Sequence, residues 1–253
     1  MPRIARRDVG GPLLHVMVQG VNKEYIFYDK EHIERYIELI GKYKKDYDFT
    51  IISYCIMNNH AHFLIYTENV CQFGKFMQKV NLIYAQFYNK EQNRCGVLFR
   101  NRYKAECILN QKYLINCIKY IHDNPVKAGM VKKGEDYKYS SCSNYMKNRG
   151  ECKSPIMQQI FGAECDFKLI FKNLHLRRFI DVEEDMDTIN EYIKEGIKEF
   201  AEEYDFKIYD IFSDREILKR LIAFLNENCN LKYVEIQNFL EITRGVMKNL
   251  RVK

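Results

Sequence analysis

Hydrophobic positions along this chain follow two different rhythms, and the change between them marks out the elements. Leu14–Gln19 is a short apolar run that stops at Gly20 and predicts a strand. From about Lys30 to Tyr47, Ile33, Tyr36, Ile37 and Ile40 fall at helical spacing. Thr50–Met57 and His60–Thr67 are β-branched and aromatic, and Asn58-Asn59 between them can take the positive φ of a tight turn, so the pair predicts a hairpin. Residues 71–90 return to helical spacing, with Phe73, Phe76, Met77, Val80, Ile83, Tyr84 and Phe87 on one stripe. Val97–Leu109 follows as a loop and strand. The next helix, 111–123, is expected to end near Pro125, because the residue before a proline disfavours helical geometry. Strands and helices in this order predict an α+β fold with a mainly antiparallel sheet and helices packed on it.

Beyond residue 150 the strand pattern fades. Helical periods cover 185–204 and 214–228, and two shorter ones, 231–240 and 243–251, flank Glu241-Ile242-Thr243. A short helix, a tight turn and a second helix beginning Thr-Arg suit a helix-turn-helix at about 214–253. A plain helical bundle fits the same pattern. The expected division is a domain at 1–150 and a helical region at 151–253.

Charge sharpens that division. The chain of 253 residues has a net charge of +6, but residues 1–150 carry 24 Lys+Arg against 14 Asp+Glu, and residues 151–253 carry 16 against 20. The first part therefore suits a phosphate-rich partner. With 47% hydrophobic residues the chain can bury a core, so wholesale disorder is excluded. No apolar stretch approaches the roughly 20 residues of a membrane span, and the N-terminus lacks a signal core, so a cytoplasmic protein without membrane association is expected. Nine cysteines, none at C-x-x-C spacing, read as reduced thiols rather than a zinc knuckle.

Two small constellations carry the candidate chemistry. His60-Ala61-His62 lies on a predicted strand, where residues two apart project to one face, so both imidazoles can meet one divalent ion. Tyr120 and Asn124 lie one helical turn apart; a phenol can serve as a nucleophile toward phosphorus and an amide oxygen as a hard ligand. His122 points off that face and is expected to be exposed or to face a partner. Arg100, Arg102 and Lys104 alternate along the predicted strand beside Phe99 and Tyr103, a basic stripe that could hold phosphates while rings stack on bases, or else a solvated edge. Lys127 and the N-terminal Arg3, Arg6 and Arg7 are further candidate phosphate contacts.

Five strings in order, Met1-Pro-Arg-Ile-Ala-Arg, His15-Val-Met-Val-Gln-Gly-Val-Asn, Met57-Asn-Asn-His-Ala-His-Phe-Leu, Gly96-Val-Leu-Phe-Arg-Asn-Arg-Tyr-Lys and Tyr120-Ile-His-Asp-Asn-Pro-Val-Lys-Ala-Gly, resemble those of the single-tyrosine HUH transposases, especially the REP-associated branch. The resemblance spans residues 2–146. It implies the ferredoxin-like palm of that family. His60 and His62 would be metal ligands with Asn124 as a further polar group, and Tyr120 the nucleophile. Arg100, Arg102, Lys104 and Lys127 would be DNA contacts. It also implies Mg2+ or Mn2+ as the cofactor, and single-stranded DNA with hairpin or palindromic elements as the substrate, nicked and rejoined through a 5′-phosphotyrosine link. Gln19 stands where the family usually has arginine. Monomer and homodimer are both compatible with the resemblance, and a catalytically silent nucleic-acid-binding regulator of the same fold is the alternative reading.

Overall fold

Four strands lie side by side in the order β2-β3-β1-β4: β1 Leu13–Gln19, β2 Thr50–Ile56, β3 His60–Tyr66 and β4 Lys104–Cys107. The computed structural model describes residues 11–108, 110–172, 186–229 and 231–250. The opening string with Arg3, Arg6 and Arg7 lies outside the described residues. All strand pairings are antiparallel, as the α+β reading requires. Contacts divide the chain into two units, 1–173 and 174–253.

In the first unit, alternation along the strands sorts residues to two faces. Leu14, Val16 and Val18 of β1 and Ala61, Phe63 and Ile65 of β3 share one core with α1 (Lys30–Lys44) and α2 (Val70–Glu91). Phe73, Phe76, Met77, Val80, Tyr84 and Tyr88 are the α2 positions that bury against them. That core is rich in aromatic pairs, such as Phe27 with Tyr36 at 4.7 Å. The opposite face carries His15, Met17, His60, His62 and Leu64, and α3 (Gln111–Lys127) packs there against β2 and β3. One face therefore supplies stability and the other the chemistry.

Three local expectations are corrected. The hairpin forms, but neither Asn58 nor Asn59 takes positive φ. Instead their carbonyls accept from Phe27 N (2.8 Å) and Gly20 N (2.9 Å), so neighbouring segments hold the turn. The strand of 97–109 is short: only 104–107 pairs with β1, with an isolated bridge joining Phe99 to Gly20. The third helix runs through Pro125 to Lys127. The proline costs one ladder hydrogen bond in the last turn; an i−4 bond from Ala128 N to Asn124 O (3.0 Å) follows it, and a capping bond from Met130 N to Pro125 O (2.9 Å) closes the end. Gly129, at φ 69°, closes the helix in the left-handed region that glycine adopts without strain.

Gly20 is required by space rather than by dihedral angle. A Cβ there would sit 2.4 Å from the Glu24 carbonyl oxygen and 2.8 Å from Ile26 Cγ2. Because one of these atoms is backbone, Gly20→Ala should cost about 2 kcal/mol or more of unfolding free energy in urea titration. It should also disturb the Asn58-Asn59 turn that Gly20 N supports.

Three short helices complete the first unit: α4 (Cys142–Met146), α5 (Pro155–Phe161) and α6 (Phe167–Lys172). The elements described in the second unit are all helices, joined by turns: α7 (Met186–Glu203), α8 (Ile208–Ser213), α9 (Arg215–Asn228), α10 (Tyr233–Phe239) and α11 (Arg244–Leu250). Ile193, Phe200, Leu221, Leu225, Ile236 and Met247 belong to its own core. Among the described residues no helix is long and apolar enough to cross a membrane.

Candidate active site

The strand register brings four side chains together on the α3 face of the sheet. His60 and His62 open β3, with ring centroids 4.8 Å apart. On β1, Met17 stands opposite His62 and His15 opposite Leu64, so His15 is the diagonal neighbour of His62. Its Nε2 lies 3.1 Å from His62 Nδ1, and the two rings stack at 5.3 Å. Tyr120, on the inward side of α3, meets His62 edge-on at 5.8 Å and His15 at 6.0 Å. His15 and His62 are fully buried and Tyr120 is 6% exposed. His60, half-buried, is the more open end of the cluster.

Hydrogen bonds orient both imidazoles of the pair. Asn59 Nδ2 donates to the Lys23 carbonyl at 3.2 Å, which turns Asn59 Oδ1 toward His60 Nδ1 at 2.5 Å. An acceptor at that position places the ring proton on Nδ1 and the lone pair on Nε2. His62 Nδ1 is likewise engaged, by His15. In each ring Nε2 is thus the nitrogen that a cation would take, the pattern in which protein imidazoles bind divalent metals. Among the described residues no group of three or more His, Cys, Asp or Glu is placed to hold a metal. A cation here would therefore draw two nitrogen donors from the protein and take oxygen donors for the rest. That donor set fits Mn2+ well and Mg2+ acceptably.

The other expected site residues are placed as follows. Asn124 lies one turn beyond Tyr120 on α3, and its Nδ2 donates to the Tyr120 carbonyl at 2.9 Å. Lys127 is exposed and carries its ammonium 5.0 Å from the centre of the Tyr120 ring. Lys104 begins β4 opposite Met17, the same residue that faces His62 from β1, so it flanks the imidazoles on one sheet face. Arg100 and Arg102 precede β4 and line a groove of about 700 Å³ with Lys75, Gln78 and Asn81 of α2. The expected one-sided stripe is therefore split between two places. Phe99 and Tyr103 also line that groove, but they are 8% and 7% exposed and most of each ring belongs to the core.

His122 is neither exposed nor turned to a partner; it is 2% exposed. Its Nε2 lies 3.0 Å from Ser53 Oγ and 2.8 Å from Ser141 Oγ, and its ring packs on Tyr145 at 4.9 Å. These contacts tie α3 to β2 and to the start of α4. Burial, and secondarily the charge of Lys119, push its pKa from 6.5 down to about 3. Below pH 6.5 the unfolded chain takes up a proton that the folded chain refuses, so this group makes stability fall as pH drops toward 3. From pH 7 to pH 5 its share is about 2 kcal/mol, at about 1.4 kcal/mol per pH unit below 6.5. Urea unfolding at the two values measures it, and His122→Gln should flatten the pH dependence over that interval.

Sequence spacing did not single out His15 or Asn59. His15 reaches His62 only through the β1–β3 register, and Asn59 acts through a carbonyl in the distant 21–23 turn. Glu106 is a further neighbour: it stands opposite His15 across the β1–β4 pair.

Comparisons with known proteins find the following similarities. Residues 11–124 match the family profile described as "Transposase IS200 like". A Haemophilus influenzae protein named as a REP-associated tyrosine transposase is 24% identical over 164 residues, covering 61% of this chain and 88% of that protein. A solved structure of a REP-associated tyrosine transposase bound to a REP hairpin has 20% identity and a TM-score of 0.48, covering 58% of this chain and 86% of that one. Over residues 11–124, which include the imidazoles and Tyr120, the chain is thus similar to IS200-like transposases, and it is similar to a REP-associated tyrosine transposase.

Proposed function

We propose that the chain is a metal-dependent transposase that nicks and rejoins single-stranded DNA at hairpin or palindromic sites. Tyr120 Oη attacks a backbone phosphorus, the bond from phosphorus to the 3′ oxygen breaks, and that oxygen leaves as a hydroxyl with the phenolic proton. The 5′ phosphate stays on Tyr120 as a diester, so no nucleotide cofactor is needed, and attack by a 3′-hydroxyl on that diester rejoins DNA. The observation that carries this reading is the convergence within one chain of Tyr120 with two imidazoles whose Nδ1 atoms are already engaged.

His60 and His62 would hold the divalent ion through Nε2, with Asn124 as a candidate oxygen donor. Bound there, Mg2+ or Mn2+ supplies Lewis acidity toward a non-bridging phosphate oxygen. The remaining work falls to the chain itself. The Lys127 ammonium, 5.0 Å from the centre of the Tyr120 ring, would draw a phosphate toward the phenol. The sheet and α3 exclude water from the Tyr120 ring, and Lys104, on the same sheet face as His62, draws a phosphate backbone toward it. Arg100 and Arg102, in the groove beside α2, would hold DNA away from the reacting phosphate.

The reading of a catalytically silent regulator draws on one observation, the 6% exposure of Tyr120, which leaves a phosphate little direct access. Incubating the chain with labelled single-stranded hairpin oligonucleotides and Mn2+, followed by denaturing electrophoresis, separates the two. A covalent protein–DNA band that requires the metal supports the transposase; strand binding with no such band, at any metal concentration, supports the regulator.

A further inference from the structure

The helical unit 174–253 contains a segment that the strand-transfer chemistry does not use. Its last three helices, α9, α10 and α11, pack on one another around Leu221, Leu225, Leu231, Ile236, Met247 and Leu250. α10 and α11 are joined by Leu240-Glu241-Ile242-Thr243, in which Glu241 takes φ 53° and reverses the chain. Thr243 Oγ1 accepts from Val246 N at 3.4 Å, and its carbonyl accepts from Met247 N at 2.9 Å, so the second helix starts directly out of the turn. At the other end, Lys232 N donates to Glu235 Oε2 at 2.8 Å and fixes the start of α10.

Only Met247 and Leu250 of α11 are buried, which attaches this helix to its unit by one narrow stripe. Arg244, Gly245, Val246, Lys248 and Asn249 are all exposed. Charge is segregated in the same place. Residues 174–241 carry 17 Asp+Glu against nine Lys+Arg, whereas residues 242–253 carry four Lys+Arg and no acidic residue. A basic, polar helix face on an otherwise acidic unit, projecting from a helix–turn–helix, matches what the major groove of duplex DNA accepts: an α-helix with cations for phosphates and an amide for base edges.

We propose that α11 is a recognition helix for double-stranded DNA, with Arg244 and Lys248, one turn apart, as its main contacts and Val246 and Asn249 beside them. The site is separate from the single-strand chemistry of Tyr120 and does not depend on it. It gives the chain a second nucleic-acid specificity, for duplex sequence. An acidic protein partner is the other occupant such a face could take, and the helix–turn–helix geometry favours DNA.

Selection by the full-length chain from a random-sequence duplex library tests this. A defined sequence should be enriched, and Arg244→Ala/Lys248→Ala should bind that duplex roughly tenfold or more weakly. The slope of log affinity against log salt should become shallower by about one for each phosphate that the variant no longer neutralises. Lys194→Ala/Lys198→Ala removes the same charge from the exposed side of α7 and should bind as the unchanged chain does. Circular dichroism of each variant establishes that the helices persist. No enrichment, undiminished binding by Arg244→Ala/Lys248→Ala, or equal weakening by both double variants would overturn the proposal.

Discussion

Tyr120→Phe should bind a single-stranded hairpin oligonucleotide as well as the unchanged chain and yet lose covalent adduct formation and strand cleavage by roughly three orders of magnitude or more. The substitution removes one oxygen and leaves the ring. Contacts with His62 at 5.8 Å, His15 at 6.0 Å and the Lys127 ammonium at 5.0 Å all involve the ring, so the face of α3 keeps its packing. Loss of a nucleophile is among the largest single effects in catalysis because no neighbouring group replaces it. Two other tyrosines of this unit are committed elsewhere: the Tyr137 hydroxyl donates to the Ile56 carbonyl at 2.7 Å and the Tyr145 hydroxyl to the Ile52 carbonyl at 3.0 Å. Burial raises the pKa of both phenols. Denaturing electrophoresis after incubation with Mn2+ reads the loss directly, and an adduct formed by the phenylalanine variant would remove Tyr120 from its role.

The second large effect concerns the imidazoles. His60→Ala should weaken Mn2+ binding, measured by calorimetry without DNA, by roughly a hundredfold or more, because one of only two protein nitrogen donors is gone. His60 is half-buried, so this variant deletes the donor with little disturbance of the core. His62→Ala should weaken binding as severely but also cost stability, since His62 is fully buried and the change opens a cavity. His15→Phe is the more discriminating change. It keeps an aromatic ring against His62 and Tyr120 but removes the partner of His62 Nδ1, 3.1 Å away. A partner that only orients a ligand is worth about 10–100-fold in metal affinity, so His15→Phe should fall between the unchanged chain and His60→Ala. If it bound Mn2+ as the unchanged chain does, His15 would be a packing residue alone.

How much of the site is legible in the sequence depends on the range of the contact involved. The period-two run around His60-Ala61-His62 and the helical spacing of Tyr120 and Asn124 are local patterns, and local patterns survive folding. The meeting of the two was expected only from a resemblance. What was not legible depends on pairing. His15 becomes visible through its diagonal place in the β1–β3 ladder. The basic residues do not form one row because Arg100 and Arg102 fall before β4 begins, where alternation no longer sets direction. Phe99 and Tyr103 went into the core because that irregular segment returns across α2, a choice governed by aromatic packing and not by spacing. The burial of His122 is not visible in the spacing because its partners, Ser53 and Ser141, are 69 and 19 residues away. The helix continues through Pro125 because buried packing and the cap at Gly129 outweigh one lost hydrogen bond.

Catalysis on this reading requires that one chain bring a phenol to a cation held by the Nε2 atoms of His60 and His62. A crystal structure of the Mn2+-loaded protein, with the metal located by anomalous scattering, tests that requirement most directly. One metal should be bonded to both Nε2 atoms, with His15 and Asn59 still on the opposite ring nitrogens and Tyr120 of the same chain facing the ion. A metal bound through Nδ1, a metal bound elsewhere, or Tyr120 turned away from the occupied site would contradict it.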